Sequence, residues 1–198
     1  MEPLSSNTLH VVIDMQRLFA EPTAWHTPTL SGIVPAVTRL ARAHPARTLF
    51  ACFTVPREAE AAQGRWVDYY RRWSSVTGER LAPGLLDLVA PLAEIASAEM
   101  MFEKPTYSIF GSPAFESHLA RHRIDTLVLT GVETDVCVLA SLFDAVDRGL
   151  RVIVPVDGVT SSSEAGHRAV LDTLLPRLPE QVSVSSIDAV LRAWPEEA

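Results

Sequence analysis

Short apolar runs alternate along this chain with stretches whose apolar residues recur at three- and four-residue spacing. The runs Leu9-His-Val-Val-Ile-Asp14, Thr48-Leu-Phe-Ala-Cys-Phe-Thr54 and Ala98-Glu-Met-Met-Phe102 read as strands. So do Thr126 to Thr130, closed by Gly131, then Arg151 to Val156 and Gln181 to Ser185. Between them, Gly32 to Arg42 places Ile33, Val34, Val37, Leu40 and Ala41 at helical spacing and stops near His44-Pro45. Pro83 to Ala93 reads as a short helix, and Ser112-Pro113 opens another with a serine cap and a proline in the first turn. Thr134 or Asp135 can cap a further helix that carries Val138, Leu142, Ala145 and Val146 on one face and ends at Arg148-Gly149. Helices over about Ala165 to Leu175 and Ile187 to Trp194 complete the pattern. Strands alternating with helices build βαβ units, hence an α/β fold whose mainly parallel sheet is covered on both faces.

Three stretches break the rhythm. Met15 to Pro28 is irregular, and its Phe19, Trp25 and His26 either wall a pocket or pack locally. Arg57 to Gly78 holds Trp66, Tyr69, Tyr70 and Trp73 among arginines, an aromatic stripe on a packed or interface helix, or a substrate-facing lid. Glu103 to Gly111 reads as a loop because Pro105 and Gly111 interrupt regular structure. Gly149, Pro155 and the Ser161 to Ser163 run read as purely structural.

Composition narrows the class. At 198 residues, 47% hydrophobic and 21% charged, residues 1–198 are expected to form one globular domain. A net charge of -7 without long acidic blocks favours solubility and argues against a nucleic-acid surface. No apolar run is long enough to span a bilayer, and Met1-Glu-Pro-Leu-Ser-Ser lacks the basic and apolar regions of a signal peptide. Two cysteines, Cys52 and Cys137, are too few for a disulfide scaffold, so a reducing cytoplasm is the expected location.

The chemistry gathers at strand ends. Asp14, Lys104 and Cys137 each follow a strand, at the edge where open parallel sheets form their binding crevices. Cys137 falls in the first turn of a helix, where the dipole and free N–H groups favour a thiolate. A thiolate nucleophile needs a proton acceptor and a nearby cation, which Asp14 and Lys104 can supply. Each signal alone is weak: an aspartate is often a cap, a loop lysine is usually solvated, and a buried cysteine is often an apolar filler.

The three motifs Val-Ile-Asp-Met-Gln16, Glu103-Lys-Pro-Thr-Tyr-Ser108 and Gly131-Val-Glu-Thr-Asp-Val-Cys-Val138, in this order, resemble the isochorismatase-like cysteine hydrolase superfamily. The similarity runs over nearly the whole chain. It implies a three-layer αβα fold with a six-stranded, mostly parallel sheet and a catalytic triad of Asp14, Lys104 and Cys137. It further implies a cis peptide between Val132 and Glu133 and an oxyanion hole made by the Glu133 and Cys137 backbone N–H groups. A homodimer or homotetramer and a small-molecule substrate are implied as well.

Departures from the pattern refine the expectation. Metal-holding nicotinamidases of the superfamily carry histidines after the second strand, where this chain reads Thr54-Val-Pro-Arg-Glu-Ala-Glu60. No metal and no other cofactor is therefore expected. The authentic isochorismatases lack the cysteine, so the chain resembles the amidase side, with its carbamoylsarcosine, amide and lactam hydrolases. Phe19, Trp25, Trp66, Tyr107, Phe110 and Val132 are the expected substrate-facing residues. Arg57, Trp66, Tyr69, Tyr70 and Arg72 suggest a cationic, aromatic pocket for a carboxylate, or a surface or dimer interface. Three functions follow: hydrolysis of a C–N bond in a small molecule, modification of a lactam or antibiotic, or non-catalytic assembly with Cys137 as a redox-sensitive thiol.

Overall fold

The computed structural model describes residues 2–194; Met1 and residues 195–198 of the expected domain lie outside the described residues. In chain order the elements are β1 (Thr8–Ile13), α1 (Arg17–Ala20), α2 (Leu30–Ala43), β2 (Thr48–Phe53), α3 (Trp66–Arg72) and α4 (Ala90–Ala93). They continue with β3 (Met101–Lys104), α5 (Pro113–His122), β4 (Thr126–Gly131), α6 (Leu139–Asp147), β5 (Arg151–Pro155), α7 (Glu164–Arg168), β6 (Val182–Ser185) and α8 (Ile187–Ala193). The six strands form one parallel sheet in the order β3-β2-β1-β4-β5-β6.

Burial explains why the central strands read as unbroken apolar runs. Every residue of β1, β2 and β4 is buried, as expected when helices cover both faces of a parallel sheet. The period of two then sorts side chains between the layers. Val128 and Ile153 pack with Leu40 of α2 and Ile187 and Val190 of α8. Their neighbours Leu127, Leu129, Val152 and Val154 join the larger cluster that holds Val138, Leu142 and Ala145.

The order of strands reverses direction between β1 and β4, whose residues pair from Thr8 with Thr126 to Ile13 with Gly131. At such a reversal the two following segments diverge to opposite faces and leave a crevice. Gly131 is required here. Its φ is +106°, and a Cβ would lie 2.0 Å from the Ile13 carbonyl oxygen. Val132 N–H donates to that same oxygen at 3.0 Å, stitching the exits of the two strands together. The Val132–Glu133 peptide is cis.

Three elements differ from the sequence pattern. The strand expected over Ala98 to Phe102 is shifted to Met101–Lys104, with Phe53 paired to Lys104. Glu103 and Lys104 are therefore strand, not loop; an edge strand of this polarity carries no apolar alternation to mark its end. Helix in the Pro83 to Ala93 stretch is confined to Ala90–Ala93, because the segment before it pairs backbone to backbone, Leu88 bridging to Gln16. The helix expected from the Thr134 or Asp135 cap begins with a wide turn over Thr134–Val138, and neither side chain caps it. Thr134 instead bonds His167, and Asp135 accepts from Ser161.

Candidate active site

Asp14 leaves β1 with a φ of 53°, a left-handed conformation that aspartate tolerates better than most residues. Its N–H donates to the Ala51 carbonyl, which holds the residue at the end of the sheet. Gln16 braces the same edge: its amide oxygen accepts from Phe53 N–H at 2.8 Å, and its nitrogen donates to the Phe53 and Leu86 carbonyls. Phe53 in turn carries the Lys104 ammonium 4.3 Å from its ring centroid.

Asp14 and Lys104 are both fully buried, and Nζ lies 2.8 Å from Oδ2. Lys104 also donates to the Thr106 carbonyl at 3.2 Å. The Cys137 thiol, 5% exposed, adjoins both charged groups. Ser141, one helical turn on, fixes the cysteine backbone by donating to the Cys137 carbonyl at 2.8 Å while accepting from Ile109 N–H. Three side chains from three separate strand–helix units thus meet at the β1/β4 reversal.

The electrostatics reverse one expectation. Burial raises the Asp14 carboxyl above its ordinary value, against the pull of the Lys104 ammonium. Burial and then the Asp14 charge push the Cys137 thiol well up, with Lys104 opposing. This direction opposes the thiolate that the helix position alone favours. The first-turn donors are also largely engaged elsewhere: Val136 and Val138 both donate their N–H groups to the Glu133 carbonyl, and Thr134 N–H donates to Thr160. Cys52, by comparison, is pushed up to about 12, first by burial and then by Asp14.

Above Cys137 opens a cavity of about 200 Å³. Phe19, Trp25, Tyr69, Trp73 and Tyr107 form aromatic walls, and Phe53 and Val136 add apolar surface. The polar lining comes from His26, Glu133 and Ser162. Glu133 Oε1 accepts from Ser162 N–H at 2.9 Å and from the Thr27 hydroxyl at 3.3 Å. Trp25 organises the wall, stacking 6.0 Å from Phe19 and lying 5.8 Å from Tyr69.

Of the expected substrate-facing residues, Phe19, Trp25 and Tyr107 line this cavity. Trp66 does not; it lines a neighbouring hollow of about 420 Å³ with Tyr70 and Pro105, while its ring packs 4.8 Å from Tyr107. Phe110 is turned away, packed edge-on against Phe115 and beneath the Arg148 guanidinium. Val132 is wholly buried and off the cavity wall, its backbone tied to Ile13. The cationic pocket is also corrected: Arg57 is paired with Glu79 and 81% exposed, and Arg72 is on the surface. Tyr70 is a core residue at 1% exposure, and Ser162 is on the cavity wall rather than merely structural. Phe53 was missed, although its place at the end of a strand is the same signal that singled out Asp14.

Comparison with known proteins agrees with this architecture. The chain matches the isochorismatase domain family over residues 8–186 and belongs to that family. It is 29% identical over 200 residues to a probable inactive nicotinamidase of Arabidopsis thaliana, covering 96% of each chain. It is 30% identical over 151 residues to N-carbamoylsarcosine amidase of an Arthrobacter species, covering 72% of this chain and 55% of that protein. Across the curated relatives it matches, the aligned share of their length runs from 23% up to 96%, with 44% and 55% for two of the first of them. The crystal structure of a cysteine hydrolase from Pseudomonas syringae shares the fold, with a TM-score of 0.80 at 22% identity over 98% of this chain and 95% of that one.

Proposed function

We propose that this member of the isochorismatase family is a cysteine hydrolase that cleaves an amide, carbamoyl or lactam C–N bond in a small molecule. The observation that carries this reading is the sealed Lys104–Asp14 pair, 2.8 Å apart, against the Cys137 thiol at the floor of an aromatic cavity. An amine, a carboxylate and a thiol in contact supply the parts of nucleophilic acyl transfer. The amidase among the relatives supports the choice of bond.

In this reading Asp14 accepts the Cys137 proton as the sulfur attacks the carbonyl carbon, so no free thiolate accumulates. Its raised affinity for protons suits it to that task. The tetrahedral oxyanion is held by the backbone N–H groups of Glu133 and Cys137, donors of a kind whose individual loss costs roughly 100- to 1,000-fold in rate. Asp14 then returns the proton to the leaving nitrogen, and the C–N bond breaks to leave a thioester and free amine. Water, deprotonated by Asp14, attacks the thioester; the carboxylic acid departs and the proton returns to sulfur. Throughout, the Lys104 ammonium lowers the energy of whichever neighbour is negative.

Incubation with a panel of small primary amides, ureido acids and lactams, read by amine release and by intact-protein mass spectrometry, tests the scheme. The expected result is turnover of some members and a transient acyl adduct on Cys137. Turnover that survives Cys137→Ala overturns it.

A further inference from the structure

The cavity walls carry a chemistry that bond cleavage does not require. Six phenylalanine, tyrosine and tryptophan rings surround the space above Cys137, and no arginine or lysine lines it. The carboxylate on the wall is that of Glu133, and no cation pairs with it among the described residues. Both hydrogen bonds it receives, from Ser162 N–H and the Thr27 hydroxyl, go to Oε1 and hold the group in place without neutralising it. Lys104 does not compensate it, being paired with Asp14 at 2.8 Å. The other titratable side chains on the wall are His26, Tyr69, Tyr107 and Cys137.

Aromatic faces attract cations through the negative face of the ring, and more strongly where water is thin. An unpaired carboxylate beside them adds a direct charge, whereas a substrate carboxylate placed there would meet like charge. We infer that this site selects amides bearing an ammonium or similar cationic group, held between the aromatic walls and the Glu133 carboxylate. This rests on the hydrolase reading for the word amide, and on the cavity alone for the cation. Glu133 then serves twice, by its backbone N–H toward the reacting carbonyl and by its side chain as the determinant of substrate charge. A cavity of about 200 Å³ limits the substrate to a small molecule.

The test is binding to the Cys137→Ala protein, which removes turnover from the measurement. Three probes share one spacer: γ-trimethylammonio-butanamide, its uncharged carbon isostere with a tert-butyl group, and glutaric acid monoamide. By titration calorimetry the cation is expected to bind about tenfold more tightly than the isostere, with the anion weakest. Adding Glu133→Gln, which keeps an oxygen acceptor for Ser162 and Thr27, is expected to reduce the cation-to-isostere ratio at least about threefold. Tyr69→Leu reduces the same ratio by removing a ring face. A lost hydrogen bond or a loosened loop would weaken all three probes alike and leave the ratio unchanged. An isostere that binds as well as the cation, a ratio indifferent to Glu133→Gln, or no binding of the cation at millimolar concentration overturns the inference. Parallel assays on the Cys137-containing protein separate the two claims. Charge-selective binding without hydrolysis of any amide counts against the hydrolase, and hydrolysis without charge selectivity counts against this inference.

Discussion

Lys104 Nζ and Asp14 Oδ2 lie 2.8 Å apart with neither side chain reaching solvent, so each is the other's principal compensation for burial. The pair joins the end of β3 to the end of β1 across the intervening β2. It is both a structural tie and the electrostatic setting of Cys137.

Lys104→Met leaves a buried carboxylate without its cation, a change of the kind that costs about 3–5 kcal/mol. The sign of its pH dependence follows from Asp14, whose folded-state affinity for protons is already raised by burial and rises further without Lys104. A raised carboxyl stabilises the fold below its unfolded value and loses that contribution as pH rises through the folded value. Urea denaturation is therefore expected to show a smaller deficit for the variant at pH 5 than at pH 8 relative to the parent protein. A deficit independent of pH would place the loss in packing instead.

Asp14→Asn is expected to move reactivity and turnover in opposite directions. Removing the carboxylate takes away the second-largest cause, after burial, of the raised Cys137 thiol. Alkylation of Cys137, followed by mass spectrometry, should begin at lower pH in the variant than in the parent protein. Turnover should fall about 100- to 10,000-fold for want of the general base. Cys52 should stay unlabelled at neutral pH in both proteins, since burial, the largest cause of its rise to about 12 in the parent, is unchanged in the variant.

Gly131→Ala tests the seam between β1 and β4. The conformation at φ +106° alone is worth about 1–3 kcal/mol against a residue with a side chain. The added Cβ would also sit 2.0 Å from the Ile13 carbonyl oxygen, next to Asp14. A drop in unfolding midpoint together with a fall in kcat/KM is expected; a stable variant with full activity would mean that the seam relaxes without moving Asp14.

His10 supplies an acid-sensitive element outside the cavity. It is fully buried in β1, bonded to Thr48 and Thr130, and burial lowers its affinity for protons to a value of about 3. A histidine lowered in this way contributes stability above its ordinary value near 6.5, and that contribution fades as pH falls toward 3. Replacement by Gln should flatten the decline in stability between pH 6.5 and 4, measured by urea denaturation at each pH, relative to the parent protein.

The order of strands and helices, the all-buried character of β1, β2 and β4, and the strand-end positions of Asp14 and Cys137 are legible in the sequence. They depend on periodicity and on turn chemistry, which are local. Lys104 was legible as a residue but not as the last position of β3, because a short, mostly exposed edge strand needs no apolar alternation. Its place is decided by pairing with Phe53. The cavity wall was partly legible in Phe19, Trp25 and Tyr107, but Phe110 and Val132 face elsewhere. Which face an aromatic in an irregular segment presents is a matter of packing, with no period to announce it.

What the tertiary structure decided is the environment of each group. Tyr69, Glu133 and Ser162 come from distant segments and converge around one space. The upward push on the Cys137 thiol comes from burial by the surrounding elements and then from the Asp14 charge. Sequence determines which chemical groups exist and roughly where along the sheet they emerge. Solvent exclusion and the partner of each charge are sums over the folded surroundings, and only the assembled chain sets them.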